Sequence, residues 1–329
     1  MLTYKKFDKD PSYPYSKKMA HKNHITCALK VSIIGCGSVG ATTAYAYLLS
    51  GTVTDLTIVD VDKKRAEGLM LDLEHALPFT PHMQITATDD FSKIAGSKLV
   101  VVTAGKRQAK GETRLDLVKA NKEIFKNIIP KIATVAPDSI ILIVSNPVDV
   151  LTYQAIKLAK FPAGKVFGSG TLLDSSRLQS HISKKIRIHP NSIDAYVLGE
   201  HGDTSFPVYS SANVLGKPLK DFDGFSQKEA EKCYEDTRKA AYRIINDQGY
   251  TCYSIATAIR EITEAIFQDQ HKVFPLSVPL KNYYGHSNVC LSVPCVVGEN
   301  GIEQIIKIPL NAKEKANLAK SVKTIKQFL

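Results

Sequence analysis

The sequence has no unbroken apolar run long enough to span a bilayer, and its N-terminus lacks the continuous apolar core of a secretory signal. Neither an embedded nor an exported protein is expected. Its six cysteines (Cys27, Cys36, Cys233, Cys252, Cys290 and Cys295) form no CxxC pair, and none is grouped with histidine at metal-ligand spacing. No metal site and no disulfide framework follow from them; reduced thiols in a cytoplasmic protein do. Internal repeats, low-complexity segments and flexible linkers are also missing, so any two domains should pack closely. The net charge of +11 permits binding to nucleic acid or to a membrane surface. The lysines are scattered, however, and no basic stretch is interleaved with aromatics, so neither partner is expected. A solvated surface accounts for the charge, and a mild positive field also attracts small anions.

What remains is an ordinary globular composition, 44% hydrophobic and 23% charged over 329 residues. That length holds one large or two medium domains with a real core. Residues 1–28 are polar and lysine-rich, include Tyr4, Tyr13 and Tyr15, and keep no steady period. Three readings stand open for this segment: an arm packed on a partner subunit, a leader, or an untranslated stretch if Met19 is the start. Asp8, Asp10 and the lack of arginine argue against a mitochondrial presequence.

The first patterned stretch, Leu29 to Ile34, reads as a buried strand running into Gly35-Cys36-Gly37-Ser38-Val39-Gly40. An alanine-rich helix over about 41–50 follows, then a strand over 56–59 ending at Asp60. GxGxxG alone is common. Strand, glycines, helix, strand and terminal acid within about 30 residues form the specific dinucleotide-binding context. Gly35 permits the tight turn, Gly37 admits a pyrophosphate close to the backbone, and Gly40 lets helix and strand pack closely. Ser38 and Val39 open the helix whose N-terminus faces the phosphates. Asp60 would bond the ribose hydroxyls and repel a 2′-phosphate, with Asp62 adding to the repulsion, which favours NAD over NADP.

Further strands are expected at 84–87, 99–103 and 140–144, separated by helices, one of which carries Pro130 and should kink there. Apolar strands alternating with helices imply a doubly wound parallel sheet of the Rossmann type over residues 29–168, which binds ligands beyond its strand C-termini. Two loops fall there. The stretch from Ala104 to Arg114 is polar with glycines near both ends, as in a mobile lid, and Arg114 could swing in to polarise a carbonyl. A flexible, solvated basic loop is the competing reading. In Ser145-Asn146-Pro147-Val148-Asp149, Asn146 sits at a strand tip with its amide available; a plain Asn-Pro turn is the alternative.

Beyond about residue 165 the alternation is lost, and a mixed α+β domain is expected over 169–329. Strands are predicted at 193–198 and 289–297, with a hairpin at Asn300-Gly301 leading into 302–308. A helical region over 226–267 should break near Gly249. The C-terminal helix should bury Leu318, Val322, Ile325 and Leu329 on one face. The chemistry concentrates in Val197-Leu198-Gly199-Glu200-His201-Gly202-Asp203, a histidine between glycines at a strand mouth. Upstream, Asp174 and Arg177 are three apart on a helix-like segment and share a face. An aspartate beside His201 would fix its tautomer and stabilise the imidazolium, and Arg177 could grip a carboxylate with two parallel hydrogen bonds.

With these motifs in hand, the chain from about Leu29 onward resembles the L-lactate/malate dehydrogenases. The matches are Gly-Cys-Gly-Ser-Val-Gly, the Gly-Glu-Thr-Arg lid end, Ser-Asn-Pro-Val-Asp, Leu-Asp-Ser-Ser-Arg and Gly-Glu-His-Gly-Asp, all in the family's order. The resemblance implies an NAD-dependent 2-hydroxyacid dehydrogenase, assembled as a cytoplasmic homotetramer. It implies His201 as acid/base with Asp174 behind it, Arg177 as carboxylate clamp and Arg114 as the residue closing on the carbonyl. Asn146 matches a residue near nicotinamide and substrate, Thr251 one at the pocket floor, and Ile255 an apolar residue backing the nicotinamide. Gln108 stands where lactate-type members have glutamine and malate-type members arginine, so pyruvate/L-lactate is the expected pair. The alternatives are a malate or branched-chain 2-hydroxyacid dehydrogenase, or an idle relative used structurally, which loss of a charged site residue would favour. Members activated by fructose 1,6-bisphosphate carry an arginine and a histidine where this chain has Gln179 and Asp194, so no such activation is expected.

Overall fold

Short aliphatic runs build the parallel half of the sheet: β1 (Lys30–Ile34), β2 (Asp55–Val59), β3 (Gln84–Thr88), β4 (Leu99–Val102), β5 (Ile140–Ile143) and β6 (Val166–Gly168). This computed structural model describes residues 29–106 and 114–329, and of Arg114 the backbone alone. The expected arm over 1–28 and Gln108 lie outside the described residues. The six strands are parallel in the order β3-β2-β1-β4-β5-β6, the doubly wound order expected from the alternation. The first five end within a residue or so of their predicted bounds; β6 was not predicted.

Four helices cover this half: α1 (Ser38–Ser50), α2 (Lys63–Ala76), α3 (Arg114–Val135) and α4 (Val148–Ala159). Side chains alternate across the sheet, so β4 sends Leu99 and Val101 to the core shared with Tyr47 of α1. Val100 and Val102 go to the other face, against Phe125 and Ile129 of α3 and Leu151 of α4. Both faces being covered is why β4 and β5 are buried at every position. α3 runs unbroken through Pro130, which lies on its exposed side. The glycine turn has a steric reason: a Cβ at Gly40 would stand 2.0 Å from the Gly35 carbonyl oxygen, and Gly35 itself has φ +100°.

After β6 come α5 (Leu172–Ile186) and four two-residue strands, β7 (Val197–Leu198), β8 (Phe206–Pro207), β9 (Asn213–Val214) and β10 (Lys217–Pro218). Then follow α6 (Gln227–Gln248), α7 (Tyr253–Phe267), β11 (Lys272–Pro279), β12 (Cys290–Gly298), β13 (Gly301–Ile305) and α8 (Ala312–Lys326). β11, β12 and β13 extend the same sheet antiparallel beyond β6, joined through Ser277 opposite Gly168. The mixed α+β half therefore grows out of the parallel sheet rather than standing apart from it.

Three expectations need correction. The predicted strand over 193–198 has no single partner: Asp194 bridges Asn213, Val197–Leu198 pair with Phe206–Pro207, and Gly199 bridges Ser292. The segment is pinned along its length but forms regular ladder only at β7. In the β12–β13 hairpin, Gly298 faces Gly301, so Glu299 and Asn300 form the turn and Gly301 takes the positive φ just after it. In α8, Leu318, Val322 and Ile325 are buried, but Leu329 is past the helix end and 40% exposed. The break near Gly249 is as expected: its φ of +86° ends α6.

Candidate active site

Two hydrogen bonds between α5 and β7 set the site's frame. The Thr171 hydroxyl donates to the Val197 carbonyl at 2.5 Å, and the Val197 amide donates to Ser175 Oγ at 2.9 Å. The first turn of α5 is thereby tied to the strand that leads into the histidine loop. That loop starts at Gly199, whose φ is +91° and where a Cβ would meet Ser321 Oγ of α8 at 2.6 Å. Any other residue would be strained at that φ and would have to displace the Ser321 hydroxyl and the Phe206 ring.

The turn carries Asp174 and the loop carries His201. Asp174 Oδ2 lies 2.6 Å from His201 Nδ1, and its Oδ1 accepts from Arg177 Nη1 at 3.2 Å. One carboxylate thus serves both cations, and Asp174 and Arg177 share a face as their three-residue spacing suggested. The side chains are 14%, 26% and 11% exposed for Asp174, His201 and Arg177, so water screens them weakly. Burial alone would raise the Asp174 pKa, but the imidazole and guanidinium beside it hold it below the ordinary value. Burial alone would lower that of His201; Asp174, with help from Asp149, outweighs it, so the imidazole stays protonated to higher pH than a free one. An ionised Asp174 can only accept, so His201 Nδ1 carries a proton and Nε2 is the nitrogen left for exchange with a ligand.

Asn146, Asp174, Arg177 and His201 line one cavity of about 500 Å³, together with Thr237 and Arg238. Asn146 is exposed, and its carbonyl accepts from Asn121 Nδ2 at 2.7 Å, which anchors the strand tip. Thr251 and Ile255 are not in that wall. Thr251 lies between α6 and α7, and Ile255 in the first turn of α7 packs on the large core, as does Val39 of α1. Gln108 lies outside the described residues, and Arg114 starts α3. Sequence reasoning missed the contribution of α6, where Thr237, Arg238, Ala241 and Tyr242 all reach the cavity. Their spacing of one, four and five is a helical face and was readable as one. It also passed over Asp149, which accepts the His201 amide.

The glycine turn suits a dinucleotide. The position of a Cβ at Gly37 has nothing within 4 Å, which leaves the backbone open to a pyrophosphate. α1 begins there with no side-chain cap, so its positive end is presented to a phosphate. Asp60 at the end of β2 accepts from the amides of Cys36 at 2.7 Å and Asp62 at 3.0 Å. These bonds and nearby Arg65 more than offset its burial, and its pKa lies below the usual carboxylate range. A fixed anion at this strand end accepts ribose hydroxyls and repels a phosphate.

A doubly wound dinucleotide half joined to a half bearing a buried Asp–His pair and an arginine defines a nicotinamide-dependent dehydrogenase. Residues 29–168 match the family model of the lactate/malate dehydrogenase NAD binding domain, and residues 171–329 that of the lactate/malate dehydrogenase alpha/beta C-terminal domain. The chain belongs to the lactate/malate dehydrogenase family, and its cofactor is NAD. It is 44% identical to an L-lactate dehydrogenase of Acetivibrio thermocellus over 305 residues, 91% of this chain and 96% of that one. An L-lactate dehydrogenase of a Thermoanaerobacter species is also 44% identical, over 91% of this chain and 98% of its own. Among solved structures, a lactate dehydrogenase from a Medee basin deep-sea metagenome library superposes with a TM-score of 0.88 at 39% identity, over 91% of this chain and 97% of that one. A minor L-lactate dehydrogenase of Enterococcus mundtii does so at 0.88 and 34% identity, over 92% and 98%.

Proposed function

We propose that this chain is an L-lactate dehydrogenase that reduces pyruvate to L-lactate, and does so reversibly, in fermentative glycolysis. The observation that carries the reading is the 2.6 Å contact between Asp174 and His201 in the cavity that also holds Arg177. NADH, when bound, supplies the hydride that goes to the carbonyl carbon. Arg177 holds the substrate carboxylate, which turns the carbonyl toward His201. Protonated His201 gives its Nε2 proton to the carbonyl oxygen as negative charge develops there. Asp174 remains ionised throughout and stabilises the imidazolium before transfer. Arg114 closes on the carbonyl oxygen from the lid, and closure excludes water. Gln108 meets the substrate methyl group and Asn146 binds close to nicotinamide and substrate; the family's roles for Thr251 at the pocket floor and Ile255 behind the nicotinamide are kept, although neither lines the cavity of Asp174 and His201. Gly35, Gly37, Ser38, Val39, Gly40 and Asp60 hold the dinucleotide.

We also propose a cytoplasmic homotetramer. Its support is the exposed apolar surface on adjoining helices: Tyr45 and Leu49 on α1, Leu71 on α2 and Tyr253 on α7 are all about half exposed or more. No helix among the described residues is long and apolar enough to cross a membrane. The five described cysteines are free and buried, as suits a reducing compartment. The test of function is loss of NADH absorbance on adding pyruvate to the purified protein. Pyruvate-dependent turnover is expected; none, with NADH bound, would overturn the reading.

A further inference from the structure

His201 is held twice, by its ring and by its main chain, and the second hold comes from the other half of the molecule. The loop after β7 leaves the sheet at Gly199, which exchanges two hydrogen bonds with Ser292 of β12 at 2.9 and 3.0 Å. Two residues on, the His201 amide donates to Asp149 Oδ2 at 2.7 Å. Asp149 is in the first turn of α4, three residues past Asn146, and is 1% exposed. Its Oδ1 accepts the Ser277 hydroxyl of β11 at 2.5 Å, and Ser277 is wholly buried. Both carboxylate oxygens are therefore used, and both partners are fixed in the sheet or in the catalytic loop.

A carboxylate is a costly way to anchor one amide. Removing it from water is unfavourable, and a neutral acceptor would satisfy the same N–H. Burial indeed pushes the Asp149 carboxyl up to about 6, against the pull of Ser277 and His201. The groups facing it are His201 and the buried Glu200 on the catalytic loop, Ser277 on β11 and the buried Cys290 thiol on β12. Of these only the imidazolium is cationic, and it gains from a second anion beside Asp174. We propose that Asp149 is a positioning residue for proton transfer: braced by Ser277, its carboxylate fixes the His201 main chain and its charge joins that of Asp174 in favouring the imidazolium.

This inference rests on His201 being the acid/base of the proposed reaction. It adds that the turn into α4, carrying Asn146, and the first turn of α4, carrying Asp149, align the nicotinamide side of the cavity with the proton donor. Asp149→Asn keeps an acceptor for the amide but removes the charge. The His201 imidazole is titrated by NMR in full-length wild type and in Asp149→Asn, which reads the charge without turnover. A downward shift of about half a pH unit or more is expected, since a nearby carboxylate raises an imidazole pKa on this scale. In the pyruvate assay, kcat should fall on the order of ten-fold, with the high-pH loss of reduction moved to lower pH and the NADH Kd unchanged. Ser277→Ala keeps the charge and removes the brace, so it should lower kcat several-fold with a smaller shift of the imidazole. An imidazole titration and a kcat that both match wild type in Asp149→Asn would overturn the proposal even if pyruvate turnover is confirmed. If Asp149→Asn does not fold, a Ser277→Ala enzyme with wild-type kcat overturns it instead. Wild type inactive toward pyruvate, with His201 still shifted by Asp149→Asn, would sink the functional reading and leave the coupling standing.

Discussion

Asp174 stands 2.6 Å from the Nδ1 of His201, and the two shift each other in opposite directions, the acid down and the imidazole up. Pyruvate reduction needs the imidazolium, so its rate should be level at low pH and fall as pH rises through the raised His201 pKa. Lactate oxidation needs the neutral ring and should rise over the same range. Asp174→Asn removes the main anion, which should move both limbs to lower pH and reduce kcat by on the order of 100-fold. Stability follows the same linkage. The depressed Asp174 contributes above its unfolded pKa and is lost as pH falls through the folded one; the raised His201 contributes below its unfolded pKa and is lost as pH rises. The stability gap between wild type and Asp174→Asn should thus be widest between about pH 4 and 6.5. Thermal melts across pH measure it, and a gap that does not vary with pH would contradict the pairing.

Arg177→Lys should be far from conservative. The guanidinium already donates to Asp174 at 3.2 Å and keeps its remaining N–H groups in a planar fork for a ligand. An ammonium cannot make both contacts in that geometry. Pyruvate KM should rise on the order of 100-fold and oxamate should bind correspondingly more weakly. A KM equal to wild type would mean that the substrate carboxylate is held elsewhere.

Much of this site was legible because its parts are local. Asp174 and Arg177 are about one helical turn apart, and Lys30 to Asp60 is a continuous strand–turn–helix–strand, so their pattern was readable locally. What spacing does not carry is tertiary. The hold of Asp149 on His201 joins residues 52 apart, and nothing in Asn-Pro-Val-Asp distinguishes a helix-start acid from a tether for another domain. The segment before His201 read as a strand because its residues are extended and apolar; the fold instead gives it three partners in turn, each in a different sheet. The face of α6 that reaches the cavity has readable helical spacing, but its polarity fits a solvated face as well as a pocket wall. Thr237, Arg238 and Tyr242 look like solvent residues until Asp174 and His201 are set opposite them.

Fructose 1,6-bisphosphate should not activate the enzyme. Gln179 lies on α5 and Asp194 is exposed where its backbone bridges Asn213, so the two positions offer a neutral amide and an anion. An acid repels a phosphate, although Lys184, Lys185, Arg187 and His189 stand nearby in the sequence. The pyruvate saturation curve should be the same with and without the sugar bisphosphate; a clear shift to lower pyruvate would refute this.

Gln108 should set the choice of 2-oxo acid. A second carboxylate, as in oxaloacetate, is not accepted in a closed site without a cation beside it. Glutamine is neutral, and the methyl group of pyruvate needs no charge partner. Wild type should therefore prefer pyruvate in kcat/KM, and Gln108→Arg should reverse the order, by pairing with the diacid and by leaving an unpaired cation against pyruvate. A wild type that prefers oxaloacetate would make malate the product despite the glutamine.

The most direct test of His201 as the proton donor is a comparison of wild type with His201→Asn, with NADH affinity measured by fluorescence and pyruvate turnover by absorbance. Asparagine removes the proton but leaves the dinucleotide cleft between Gly35 and Asp60 untouched. Unchanged NADH affinity with turnover lower by roughly 10²–10⁴-fold is the predicted result. Pyruvate reduction at a rate near that of wild type would contradict it.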